Sequence, residues 1–148
     1  MELIVTVILV AVLASFAVYH YNNIMDEGTL NAAKGKLAAL GGATARFILE
    51  QGTPAPSTGE DFAEGVSTSG ISGSCDNNDI KGVFTCGYAE KSLSFAEGFD
   101  FSFGYICGEN TGTLTVRMVP NGNNADNENF PSCAYFDPEQ DKVIEVWE

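Results

Sequence analysis

The sequence contains a single histidine, His20, which lies in an apolar N-terminal stretch. Ser–His and Cys–His catalysis therefore have no histidine base in residues 52–148. No CxxC pair occurs, so the usual spacings of zinc and haem sites are missing as well. Carboxylate pairs, the catalytic groups of glycosidases, occur by chance among so many acidic residues and are better explained as solvated surface charge. We expect no enzymatic activity and no cofactor.

Basic residues are also scarce. The chain has 7 Lys and Arg against 20 Asp and Glu, a formal net charge of −13, and residues 52–148 hold sixteen acidic residues and four basic ones. Such a surface repels nucleic-acid phosphates and anionic lipid, so we expect no direct nucleic-acid binding. No lysine or arginine precedes Lys34, so the N-terminus lacks the basic region of an ordinary secretory signal.

The most prominent feature of the sequence is a long apolar run at the N-terminus. Leu3 to Tyr19 contains no charge, glycine or proline, and about 20 such residues cross a hydrocarbon core of ~30 Å. The pattern continues into an amphipathic segment, which predicts one helix over 1–51 with an apolar part (1–21) and an amphipathic part (22–51). Such a helix is about 75 Å long, whereas a domain of ~100 residues has a radius of gyration near 13 Å. The apolar part must therefore protrude and needs lipid or other copies of itself.

The amphipathic part carries apolar side chains at three- and four-residue steps, which places them on one helix face. This apolar stripe consists of Leu30, Ala33, Leu37, Leu40, Thr44 and Phe47, and we expect it to lie on a sheet. Four glycines interrupt the segment, each costing about 1 kcal/mol relative to alanine in a helix interior. Either they let helices approach closely, or the helix bends or frays at Gly28 or at Gly41–Gly42.

The rest of the chain, 52–148, predicts a small globular head. Residues 52–73 are rich in Pro, Gly, Ser and Thr and predict a surface loop. Within 74–148 the period changes to two, which predicts strands at 82–88, 99–105, 113–119, 132–136 and 142–147. The second and third of these form a hairpin. A long helix followed by an antiparallel sheet is an α+β fold.

All four cysteines, Cys75, Cys86, Cys107 and Cys133, lie in the head. An even number in a small exported domain indicates two disulfides, and three connectivities are open. We favour Cys75–Cys86 with Cys107–Cys133, because this choice closes two separate local loops. Each closure contributes on the order of 3 kcal/mol.

The polar stretch 120–129 offers Asp126 and Glu128, whose carboxylate oxygens are of the kind calcium prefers. Their spacing does not match an EF-hand loop. A plain turn is the favoured interpretation, and we expect no metal site.

Glu2-Leu3-Ile4-Val5, followed by the apolar run Thr6–Ala17 and the amphipathic continuation, resembles the N-terminal helix of type IV pilins and the related pseudopilins. Glu2 matches the acidic residue of that family's anchor, although only Met1 precedes it where the family has four residues, and the anchor lacks the family's common proline. The layout of a loop, an antiparallel sheet and a disulfide-bounded C-terminal region is also similar.

The resemblance implies a helical homo-oligomeric filament whose subunits pack through the apolar helix. In it, Glu2 pairs with the amino terminus of a neighbouring subunit, and methylation of that terminus is a family feature. The assembly residues it implies are Glu2, Leu3, Ile4, Val5, Val7, Ile8, Leu9, Val12, Leu13 and Phe16. It implies residence in the inner membrane before assembly, a pilus assembly machinery as partner, and an extracellular surface filament afterwards.

Three functions follow as expectations. The first is a structural subunit of a type IV pilus that serves adhesion, motility or DNA uptake. The second, with the same architecture, is a pseudopilin of a type II secretion system. The third is a membrane-anchored binding or enzymatic head that does not polymerise.

Overall fold

The computed structural model describes residues 2–52, 75, 78–90, 98–107 and 113–147. Helix α1 (Glu2–Gln51) is one uninterrupted α-helix, as predicted. At ~1.5 Å per residue it is about 75 Å long. The residue that follows it, Gly52, has a φ of +93° and donates its N–H to the Ile48 carbonyl at 2.9 Å. A glycine tolerates this left-handed conformation, so the chain can leave the helix there.

Four strands form an antiparallel sheet in the order β1-β2-β3-β4. They are β1 (Phe99–Tyr105), β2 (Leu114–Pro120), β3 (Cys133–Asp137) and β4 (Lys142–Val146). The predicted hairpin is confirmed, with Phe101 opposite Met118 and Phe103 opposite Val116. The helix followed by this sheet confirms the α+β class.

The strand predicted at 82–88 is wrong, because Gly82–Thr85 is a short helix, α2. Asp79 starts the turn: its carboxylate accepts the Lys81 N–H at 2.9 Å, and its carbonyl accepts the Gly82 N–H at 2.8 Å. The adjacent residues Val83 and Phe84 are both fully buried. A strand would point them to opposite faces, whereas a helical turn places both in the core.

The apolar stripe packs on one face of the sheet, as predicted. All six of its members are at most 7% exposed. Against them lie the inward side chains of the strands: Phe99, Phe101, Phe103, Val116, Met118, Ala134 and Phe136. This one-sided packing holds the head on the C-terminal half of α1.

None of the four glycines breaks α1. Gly41 is buried, and a Cβ built there would collide with the Phe136 ring, so its role is to seat that ring against the helix backbone. In the described part of the chain, a Cβ at Gly28, Gly35 or Gly42 would have nothing within 4 Å. Packing among the described residues therefore explains Gly41 and does not explain the other three glycines.

The predicted disulfides are confirmed. Cys75 bonds Cys86 across a sequence separation of 11, and Cys107 bonds Cys133 across 26. At about 3 kcal/mol each, they stabilise a head with a small core. The loop predicted at 52–73 lies, apart from Gly52, outside the described residues.

Replacing Gly41 with alanine should destabilise the chain, because overpacking against Phe136 costs about 1–3 kcal/mol while the gain in helix propensity is about 1 kcal/mol. Gly42→Ala is the matched control and should stabilise by up to about 1 kcal/mol, since its Cβ meets open space. Denaturant unfolding followed by circular dichroism in detergent measures both. Equal shifts for the two variants would contradict the packing assigned to Gly41.

Candidate functional site

The N-terminal half of α1 is bare. From Leu3 to Met25 every apolar side chain is exposed, with Leu3 at 80% and Ile24 at 66%. Nine of the ten sequence-predicted assembly residues lie in this exposed set: Leu3, Ile4, Val5, Val7, Ile8, Leu9, Val12, Leu13 and Phe16. The tenth, Glu2, begins α1, and its side chain lies outside the described part. We call Leu3–Met25 the apolar rod; near its C-terminal end it includes the polar residues His20, Asn22 and Asn23.

A rod of 23 residues is about 35 Å long at ~1.5 Å per residue, enough to cross a hydrocarbon core of ~30 Å. In the described part of the chain, α1 is the one helix long and apolar enough to cross a membrane. Exposed apolar patches of this size mark sites that bind lipid or protein.

The two aliphatic hydroxyl groups of the rod are hydrogen-bonded within the helix. Thr6 donates its hydroxyl hydrogen to the Leu3 carbonyl at 2.9 Å, and Ser15 donates to the Ala11 carbonyl at 2.9 Å. Because both hydroxyls are satisfied within the helix, the rod can enter an apolar environment without leaving these donors unpaired.

A second stripe runs along the helix face opposite the apolar stripe. Its members are spaced by alternating steps of three and four residues: Ile4, Val7, Ala11, Ala14, Val18, Tyr21, Met25, Gly28, Ala32, Gly35, Ala39 and Gly42. All are exposed except Gly42, which is half-buried. This outer stripe changes from large apolar residues on the rod to glycine and alanine beside the head, and it contains the three glycines that packing within the chain does not explain.

Polar contacts between side chains tether the head to α1 at three successive heights. Lowest, Asp26 Oδ2 accepts hydrogen bonds from Asn127 Nδ2 at 3.2 Å and Asn129 Nδ2 at 3.1 Å. In the middle, Lys34 Nζ pairs with Glu145 at 2.5 Å. Near the C-terminal end of α1, the Tyr88 hydroxyl donates to the Glu50 carboxylate at 2.6 Å. Exposed pairs of this kind contribute about 0.2–1 kcal/mol each, but together they fix the head's orientation on the helix.

The lowest tether involves the stretch 120–129, which begins at the end of β2 and includes a short 3-10 helix at Gly122–Asn124. Asn127 and Asn129 face α1, whereas Asp126 and Glu128 are exposed. Among the described residues no group of three His, Cys, Asp or Glu side chains could hold a metal ion. The structure does not bring Asp126 and Glu128 into such a group.

An apolar groove of about 440 Å³ opens at the upper end of the head, between α1 and the sheet. Its described lining comes from the last turns of α1, the start of β2 and the end of β3: Gly41, Thr44, Ala45, Ile48, Leu49, Thr113, Leu114, Thr115, Val116, Phe136, Pro138 and Glu139. Thr44 is 2% exposed, and its hydroxyl has no hydrogen-bond partner in the described part of the chain.

Sequence reasoning missed the outer stripe, the Asp26 tether and the groove. The outer stripe could have been predicted from the sequence, because its members repeat every 3.5 residues on average through both halves of the helix. No sequence pattern predicts the tether or the groove, since each joins residues that are far apart in the chain.

Asp26→Ala should remove both hydrogen bonds to the asparagines and free residues 121–130 from the helix. We expect a loss of about 1–2 kcal/mol of unfolding free energy and faster proteolysis within that stretch. The neighbouring Glu27→Ala removes an equal charge from an exposed position and should leave both measurements near the wild-type values. The tether has no structural role if the two variants behave alike.

Comparisons with protein-family models, with curated proteins and with solved structures found no match. The functional argument therefore rests on the helix, its exposed surfaces and the head that it carries.

Proposed function

We propose that the chain is a structural subunit of a type IV pilus, a surface filament used for adhesion, motility or DNA uptake. The observation that carries this proposal is the bare apolar rod, Leu3–Met25, on a helix whose other half is packed against a folded head. The N-terminal resemblance to pilins is its second support.

The exposed rod needs an apolar partner in every state of the protein. Burying one large apolar side chain is worth about 1.5–3 kcal/mol, so the nine exposed assembly residues together make a free, soluble monomer very unfavourable. The inner membrane shelters the rod before assembly, and the rods of sister subunits shelter it afterwards. The pilus assembly machinery moves the subunit from one to the other.

Moving from lipid to a bundle of helices brings no hydrophobic gain, because lipid tails are as apolar as leucine. Close packing must then drive association, and small residues allow it by bringing backbones together. On the rod the outer stripe supplies small residues at Ala11 and Ala14. Beyond the rod it continues with Gly28, Gly35 and Gly42, where the added cost of glycine, about 1 kcal/mol each, is offset by helix contact. Its 3.5-residue period suits helices that wind around one another.

The head's charge is consistent with this arrangement. Residues 52–148 carry sixteen acidic and four basic residues, so neighbouring heads repel one another. Attraction through the helices places the heads outside and in contact with water. A head that merely bound ligands at a membrane would leave the outer stripe without a function, which favours the filament.

Shearing cells that express the chain, followed by electron microscopy of the fluid, should show fibres that contain it. Material that stays entirely as detergent-soluble monomers would overturn the proposal. Fibres formed only inside the secretion apparatus would instead indicate a pseudopilin.

Two substitutions at one position separate assembly from folding. Gly35→Ala and Gly35→Leu should both keep or raise monomer stability in detergent, because the new side chain meets open space. Fibre yield should fall moderately for alanine and at least about tenfold for leucine, since 1.4 kcal/mol lost per contact already gives that factor. Normal yields for Gly35→Leu would remove the outer stripe from the interface.

Glu2→Ala should lower fibre yield or disorder the fibres while the head stays folded. A carboxylate among apolar helices costs several kcal/mol unless it is paired, and the resemblance gives it the amino terminus of a neighbour as partner. Immunoblots of sheared material, with circular dichroism of the detergent-extracted subunit, measure the two effects. Well-ordered fibres at the wild-type level would exclude the pairing.

A further inference from the structure

We propose that the unassembled subunit fits a bilayer whose hydrocarbon core is about 24 Å thick, thinner than the ~30 Å of an ordinary membrane. In an ordinary membrane the lipid must then become thinner around α1. This inference rests on the membrane-bound state in the proposed function. It adds which part of the rod the hydrocarbon covers and what kind of bilayer suits the subunit.

The rod carries three rings that belong at a membrane surface. Tyr19, His20 and Tyr21 are consecutive, so they project at steps of about 100° and surround most of the helix. All three are exposed, and the Tyr19 and His20 rings meet edge to face with their centroids 6.0 Å apart. Amphipathic rings concentrate at the headgroup level of membranes. We call these three residues the collar and place them at that level.

The residues that follow the collar keep hydrocarbon from rising past it. Asn22 and Asn23 carry side-chain amides, which are unfavourable in hydrocarbon. Ile24 and Met25 are apolar and exposed, but hydrocarbon reaches them only if it also takes in the collar and both amides. The upper limit of the hydrocarbon therefore lies near Val18.

The head prevents the rod from sinking deeper. Asp26 lies about 8 Å above the collar, and its carboxylate accepts hydrogen bonds from Asn127 and Asn129 of the head at 3.2 and 3.1 Å. A headgroup layer is about 5–8 Å thick, so this part of the head rests directly above it. Asp126 and Glu128 in the same stretch are exposed, and charged side chains are costly in hydrocarbon.

Glu2 sets the other limit of the hydrocarbon. It precedes Leu3 in α1, and an unpaired carboxylate is costly in hydrocarbon. Before assembly, its proposed partner, the amino terminus of a neighbouring subunit, is not yet present. Glu2 therefore belongs at the far headgroup level. The sixteen residues from Leu3 to Val18 are left to cross the hydrocarbon, a length of about 24 Å at ~1.5 Å per residue.

A helix that is too short cannot correct the mismatch by moving. Tilting reduces the thickness that a helix spans, so it relieves only an excess of length. The lipid must thin instead, which is unfavourable for every ångström of mismatch. Subunits packed in a fibre no longer deform lipid. The mismatch therefore favours departure from the membrane, a step for which hydrophobic transfer supplies no gain.

Recovery of the full chain in vesicles of different thickness tests the proposal. The chain is reconstituted from detergent into dimyristoleoyl, dioleoyl or dierucoyl phosphatidylcholine, whose acyl chains lengthen in that order, and the vesicles are floated in a density gradient. We expect several-fold more chain in dimyristoleoyl than in dierucoyl vesicles. A maximum in either thicker lipid, or equal recovery in all three, would overturn the proposal and leave the filament standing.

A triple variant lengthens the apolar span without changing the length of the chain. His20→Leu, Asn22→Leu and Asn23→Leu together extend the span from Val18 to Met25, which gives about 35 Å at ~1.5 Å per residue. The maximum of recovery should then move to a thicker lipid. If this variant keeps the preference of the wild-type chain, the polar residues near the collar do not set the span and the proposal is wrong.

A matched control adds apolarity without length. Ala11→Leu, Ala14→Leu and Ala17→Leu introduce the same number of leucines at exposed positions within the short span, so the maximum should stay in dimyristoleoyl vesicles. A control that shifts as far as the lengthened variant would show that apolarity sets the preference, against the proposal. A wild-type chain that enters none of the three lipids would overturn this inference together with the membrane-bound state in the proposed function.

Discussion

The structure depends on the contact between the apolar stripe of α1 and one face of the four-stranded sheet. The six residues of the stripe, from Leu30 to Phe47, bury that face of the sheet, and the sheet in turn buries the stripe. Because the stripe occupies only the C-terminal half of α1, the head cannot slide down to cover the rod. The same packing that folds the head therefore leaves the apolar side chains of Leu3–Met25 exposed.

Much of this arrangement can be read from the sequence, because it depends on periodicity. The stripe follows from three- and four-residue steps, and the β1–β2 hairpin from the alternation Phe99, Phe101, Phe103, Tyr105. The disulfide pairing was predicted because it closes two separate loops between cysteines that are close in the chain. These features are set by residues close in the chain, where the repeat of a helix or strand dictates which side chains share a face.

The misses have physical causes of a different kind. Residues 82–88 carry apolar side chains that suit a strand. The chain instead makes a helical turn, which begins where Asp79 accepts the Lys81 N–H, and Val83 and Phe84 both enter the core. The reason for Gly41 is an aromatic ring on β3, 95 positions away. Asp26 meets its asparagines across more than a hundred residues. Side-chain contacts of that separation leave no periodic trace in a single sequence.

The two disulfides have a mechanical consequence. Neither bond reaches α1, so the helix and the head are joined by packing, by the polar tethers and by the chain itself. If the proposed fibre came under tension, a head that detached from the helix could extend only outside the two closed loops. The two disulfides close loops with separations of 11 and 26 residues. At about 3.4 Å per extended residue, roughly 120 Å of chain inside these loops cannot be extended while the bonds are intact. The maximum length of an unfolded subunit would thus be shorter than that of the same chain without its disulfides.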